Sequence, residues 1–180
     1  MRSFIAIEME SEAINSIRDQ LRSANADIKF VEPGNLHLTL KFLGEIKDDL
    51  VDDIHNRMEE SFKDFSRFEV QLRGVGVFPS LRYIKVVWVG IEENKEKLAK
   101  MQESLEDNIS NLGFKKEGRF KPHLTIGRVK SPRNKDKLAE IITTMKDKEV
   151  DKIKVDRVIL KKSVLTPKGP IYTTLREVML

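Results

Sequence analysis

No cysteine occurs among the 180 residues, so neither a disulfide framework nor a thiolate metal site can form. Long apolar runs are missing as well: none approaches the roughly 18 residues that a membrane-spanning helix needs. Met1 to Glu10 lacks the basic start and sustained apolar stretch of a secretory leader. A cytoplasmic protein with no membrane contact is therefore expected, and a monomer. Histidines number only three, and no H-E-x-x-H run is present, so a metal-dependent hydrolase would have few ligands to draw on. No cofactor is called for.

What is present suits a packed domain. Apolar residues make up 39% and charged residues 34%, enough for one substantial domain or two small lobes sharing an interface, and too apolar for disorder. The formal charge of +4 is a mild excess, compatible with a polyanionic ligand.

The hydrophobic pattern alternates between period two and period 3.6. Residues 3–9 read as a strand. Ser11 reads as the N-cap of a helix with Ile14, Ile17 and Leu21 on one face. A turn at Glu32-Pro33-Gly34-Asn35 leads to a strand over 36–43, ended by Gly44. A helix over 47–62 buries Leu50, Ile54 and Met58, and strands follow over 68–78 and 82–91. The second half repeats this order: a helix over 93–112, a strand over 122–129, a helix over 135–145, then strands over 152–164 and 171–179. The two middle strands open alike, with His37-Leu38-Thr39-Leu40 and His123-Leu124-Thr125-Ile126, 86 residues apart (37 to 123). We read an internal duplication of two α+β lobes within a single domain 1–180, about 1–83 and 84–180, between which strands can be exchanged.

Side chains alternate along a strand. His37, Thr39 and Lys41 are thus expected on one face, with Leu38, Leu40 and Phe42 in the core behind them. His123 and Thr125 likewise share a face. An imidazole beside a hydroxyl, presented twice, suits phosphodiester chemistry. One imidazole takes a proton from water, the other donates to the leaving oxygen, and the hydroxyls hold non-bridging oxygens. Lys41 and Arg128 are cations near enough to assist, although Arg128 needs a bulge around Gly127 to reach the His123 face. A single H-x-T would mean little. For randomly placed residues, the chance that two of three histidines have threonine two positions on is roughly 0.5%, which makes the pair informative. His55, among Asp52, Asp53, Arg57 and Glu59, reads as a solvent-facing helix residue. The basic segment 130–137 reads as a charged loop or a phosphate contact. Phe78, before Pro79, and Tyr172 are candidates to stack on a base.

These residues carry a resemblance. His37-Leu38-Thr39-Leu40 with Phe42-Leu43-Gly44, and Phe120-Lys121-Pro122-His123-Leu124-Thr125-Ile126 with Arg128, resemble the motifs of the 2H phosphoesterase superfamily. Within it the chain is similar to the RNA 2′,3′-cyclic phosphodiesterases, historically called 2′-5′ RNA ligases. Gly76-Val77-Phe78-Pro79, the strand from Arg82 to Trp88, and Gly169, Tyr172 and Leu175 extend the likeness across residues 1–178. The resemblance implies a bilobal α+β fold of pseudo-twofold symmetry, with two antiparallel sheets lining a central cleft and helices outside. It implies metal-free hydrolysis of an RNA 2′,3′-cyclic phosphate to a 2′-phosphomonoester, with 2′-5′ ligation as the family's reverse reaction; tRNA fragments, other RNA ends and small cyclic nucleotides all stay open as substrates. It further implies His37 as the acid and His123 as the base, while the residues themselves offer Thr39, Thr125, Arg128, Lys41, Phe78 and Tyr172 as substrate contacts. The alternative is a non-catalytic module that binds RNA ends. That module would place aromatic and basic residues on one strand face, whereas these faces carry histidine and threonine.

Overall fold

Nine strands, all paired antiparallel, form two sheets in a computed structural model that describes residues 1–180. The four-stranded sheet runs β3 (His37–Glu45), β1 (Arg2–Glu8), β8 (Arg157–Thr166), β9 (Gly169–Met179). The five-stranded sheet runs β2 (Ile28–Phe30), β6 (His123–Val129), β5 (Tyr83–Ile91), β4 (Phe68–Ser80), β7 (Glu149–Val155). Each sheet therefore draws on both halves of the chain. The expected strand over 152–164 is in fact two: the chain leaves one sheet at Val155, passes Asp156, and enters the other at Arg157. Periodicity alone does not reveal this break, because Val155 and Val158 are both fully buried on either side of it.

Four helices cover the sheets. α2 (Val51–Phe62) and α3 (Lys95–Ile109) pack together against β9 and β3, while α1 (Ala13–Arg22) and α4 (Lys135–Thr144) lie against β7 and β4. Their buried stripes are those of amphipathic helices: Ile14, Ile17 and Leu21 on α1, and Val51, Ile54 and Met58 on α2. Leu50 precedes α2 and is only partly buried. Ser11 does not cap α1. Its hydroxyl donates instead to Asp151 at 2.6 Å, tying the helix entry to β7. A single cluster of buried apolar residues spans both sheets, so the two lobes share one core.

Both motif strands break the simple alternation at the same place. Opposite β1, Ile5 faces Lys41 and Ala6 faces Thr39, which leaves Leu40 as an extra residue. Opposite β5, Val87 faces Gly127 and Trp88 faces Thr125, which leaves Ile126 extra. A bulge reverses the facing of every residue beyond it. The residue five past each histidine, Phe42 in one copy and Arg128 in the other, is thereby turned to the same face as the histidine.

Candidate active site

One cavity of about 1480 Å³ lies between the sheets, and His37, Thr39, His123 and Thr125 all line it. Each H-x-T strand thus contributes its imidazole and hydroxyl to a shared space. Arg128, Phe78 and Tyr172 line it too. Lys41, expected beside Thr39, does not. The bulge at Leu40 turns it under the sheet, where it is 2% exposed, and its ammonium bonds both carboxylate oxygens of Glu106 at 3.0 Å and the carbonyl of Lys115 at 2.6 Å. Phe42, expected in the core, is 58% exposed and lines the cavity instead. A cue for this reversal lies in the apolar spacing. Leu38, Leu40 and Leu43 step by two and then by three, as do Leu124, Ile126 and Val129.

The two histidines are held alike. His37 Nδ1 lies 2.7 Å from the carbonyl oxygen of Asn35, and His123 Nδ1 lies 2.7 Å from that of Lys121. A carbonyl only accepts, so each Nδ1 carries the proton and each Nε2 is left for other chemistry. Aromatic rings brace both. Tyr172 meets His37 edge-on at 5.4 Å between centroids, with Phe4 at 4.9 Å. Phe78 meets His123 edge-on at 4.9 Å, with Trp88 at 6.3 Å. Gly76 makes room for that indole, since a Cβ there would come within 2.3 Å of it. Phe78 and Tyr172 are thus neighbours of the histidines as well as walls of the cavity.

Burial pushes the His37 pKa below its ordinary value of 6.5. The Asn35 carbonyl and Glu8 oppose that shift, while Lys161 and Arg128 reinforce it. Burial raises the Tyr172 hydroxyl, against the pull of Arg128 and Arg2. Arg128, from the second motif, therefore acts across the cleft on His37 and Tyr172 of the four-stranded sheet. The cavity walls carry six basic residues, Arg2, Lys29, Arg119, Lys121, Arg128 and Lys168, against three acidic ones, Glu32, Glu45 and Glu117. None of the six enters an ion pair within the protein. An excess of three positive charges in one cleft, out of a net +4 for the whole chain, concentrates the field where the histidines are.

The third histidine, read as a helix residue outside the site, and the basic segment 130–137 both lie elsewhere. His55 sits on α2 with Nε2 3.2 Å from the Glu177 carbonyl, away from the cavity lining. Segment 130–137 leads into α4, and Arg133 and Asn134 bond the Asn25 carbonyl rather than facing the cleft.

A family model described as the 2′-5′ RNA ligase superfamily matches residues 7–163. A protein of Methanothermobacter thermautotrophicus named RNA 2′,3′-cyclic phosphodiesterase is 46% identical, the match covering 96% of this chain and 95% of that one. Another so named, from Methanocaldococcus jannaschii, is 39% identical over 98% and 99% of the two chains. Among solved structures, one from Thermus thermophilus superimposes with a TM-score of 0.81 at 27% identity, covering 100% of this chain and 98% of that one. Escherichia coli LigT complexed with 3′-AMP superimposes with a TM-score of 0.76 at 22% identity, covering 99% and 97%, a likeness of fold alone.

Proposed function

Because this chain belongs to the 2′-5′ RNA ligase superfamily, we propose that it is a hydrolase opening the 2′,3′-cyclic phosphate at an RNA end to a 2′-phosphomonoester. The observation that carries this reading is the convergence of two H-x-T strands on one cavity, with each Nδ1 bonded to a backbone carbonyl and each Nε2 free. In-line displacement at phosphorus needs a proton acceptor on the side of the attacking water and a proton donor on the side of the leaving oxygen. One strand supplies a single imidazole. Two opposed strands supply both.

The attacking water forms the new P–O bond as the P–O3′ bond breaks. His123 takes the water proton, and His37 in its protonated form delivers one to O3′, so that the 3′-hydroxyl is restored. Thr39 and Thr125 donate to the non-bridging oxygens, and Arg128 adds a positive charge to the same group. Phe42, Phe78 and Tyr172 offer flat apolar surface to a base, and the uncompensated basic residues hold the phosphates upstream. RNA fragments, tRNA fragments among them, are substrates of this shape.

The test is incubation of an RNA ending in a 2′,3′-cyclic phosphate with the protein, with and without excess chelator. The product expected in both is the 2′-phosphomonoester. Binding of the RNA end without turnover would overturn the reading, and a loss on chelation restored by a divalent ion would overturn its metal-free form.

A further inference from the structure

Resting on that reading, we propose that Lys41 is the residue that positions His123, by holding the segment that leads into it. The pseudo-twofold relation between the lobes carries the inference. Lys29 and Lys115 each lie eight residues ahead of a motif histidine (29 to 37 and 115 to 123). The approach to His37 is fixed by a β-ladder: Lys29 pairs with Arg128 and Phe30 with Gly127, and the Val31 amide donates to the Ile126 carbonyl. The approach to His123 has no such support, because residues 114–122 belong to no helix or strand.

Gly127 and Lys41 hold the same place, four past each histidine and just beyond the bulge. Gly127 is bare because β2 lies against it; a Cβ there would come within 2.8 Å of Ile28. At the matching place in the first copy there is no strand to admit, and a lysine fills the space. Its ammonium reaches the Lys115 carbonyl at 2.6 Å and stands 3.6 Å from Glu117, a residue of the cavity wall. Glu106 fixes the lysine from α3 and is itself bonded by Gln102 at 3.0 Å. Six residues beyond Lys115, the Lys121 carbonyl accepts the His123 Nδ1 proton. The surface pair between Lys116 and Asp107 is solvent-exposed and adds little. One lobe thus steadies its histidine with a strand, and the other with a buried ammonium.

The experiment compares Lys41→Met with Lys41→Met/Glu106→Met. The single change strands a carboxylate in the core and should lower the melting temperature. The double change replaces the buried pair with apolar groups of similar length, which restores stability but not the bond to the Lys115 carbonyl. In both variants kcat should fall by about 10- to 100-fold, the loss typical of a misplaced catalytic group, with KM little changed. Nitrogen-15 NMR of the imidazoles should show His123 losing its fixed Nδ1–H tautomer while His37 keeps its own. A double variant with wild-type kcat and an unchanged His123 spectrum would overturn the proposal. So would a double variant unable to fold, which would make the pair a structural necessity alone. If the wild-type protein fails to turn over a cyclic phosphate, the functional reading falls, while the His123 spectrum still decides the role of Lys41.

Discussion

His37 and His123 repeat one another down to a single bond. Each donates Nδ1–H to the carbonyl two residues earlier in the chain, at 2.7 Å in both cases. Equal tethers do not make equal environments. His37 sits under Phe4 and Tyr172 and near Lys161, with burial as the main influence on its proton. In the free protein it should therefore titrate below 6.5 by NMR and be neutral at pH 7. An anion in the cleft offsets the cations, so saturating inorganic phosphate should move that titration upward. The sign for stability follows. Below pH 6.5 the unfolded chain takes up a proton that the folded His37 does not, so stability falls with pH until the folded ring is protonated as well. His37→Gln should flatten this part of the stability–pH curve. A titration at or above 6.5 in the free protein would contradict the assigned environment.

The threonines give the second prediction. Thr39 and Thr125 line the cavity beside their histidines, before the bulge changes the facing of either strand. Thr→Val keeps the shape and removes the hydroxyl. If the hydroxyls stabilise charge on phosphorus, each change should lower kcat/KM by roughly 10- to 1000-fold, with folding unaffected. Unchanged kinetics in a folded Thr39→Val or Thr125→Val protein would assign that side chain to packing.

Much of this arrangement is legible in the sequence, and the places where it is not have a common cause. The paired H-x-T strands, their shared face and the four helices follow from periods of two and 3.6 alone. Lys41 and Phe42 exchange places because alternation assumes an unbroken ladder, and a bulge inserts one residue. The same bulge in the second copy admits Arg128, which strict alternation would have placed on the far face. The three residues of β2 are too few to show a period. The passage of the chain between sheets at Asp156 costs no change in hydrophobic pattern, since both flanking strands are buried in one core. The ties from Asn35 and Lys121 to the histidines run through backbone carbonyls, to which a sequence pattern is blind.

The third prediction concerns charge. Six cavity-lining basic residues without carboxylate partners make a cleft that attracts a polyanion and releases counterions on binding. KM for a multi-phosphate RNA end should rise steeply with salt, and more steeply than for a cyclic mononucleotide. Arg128→Met should raise KM and lower the slope of log KM against log salt by roughly one. A salt dependence no greater for the long substrate than for the mononucleotide would place the RNA outside this cleft.

The last prediction assigns the two proton transfers. Replacing His37 or His123 by Ala should lower kcat on the cyclic phosphate by about 10²- to 10⁴-fold, and kcat/KM should be bell-shaped in pH. These losses do not separate acid from base, because hydrolysis of the cyclic phosphate needs both an activated water and a protonated leaving oxygen. An activated aryl phosphodiester does separate them, since its phenolate departs without a proton while its phosphorus still needs an activated water. On that substrate His37→Ala should regain most of its activity and His123→Ala should remain impaired. The lowered pKa of His37 is consistent with a donor that gives up its proton readily once the substrate's negative charge has helped to load it. The same shift leaves Nε2 bare in the free protein, which is the form a base requires, so only the leaving-group comparison decides. Recovery by His123→Ala instead would exchange the two roles. Full activity of both variants on the cyclic phosphate would remove the two histidines from the chemistry altogether.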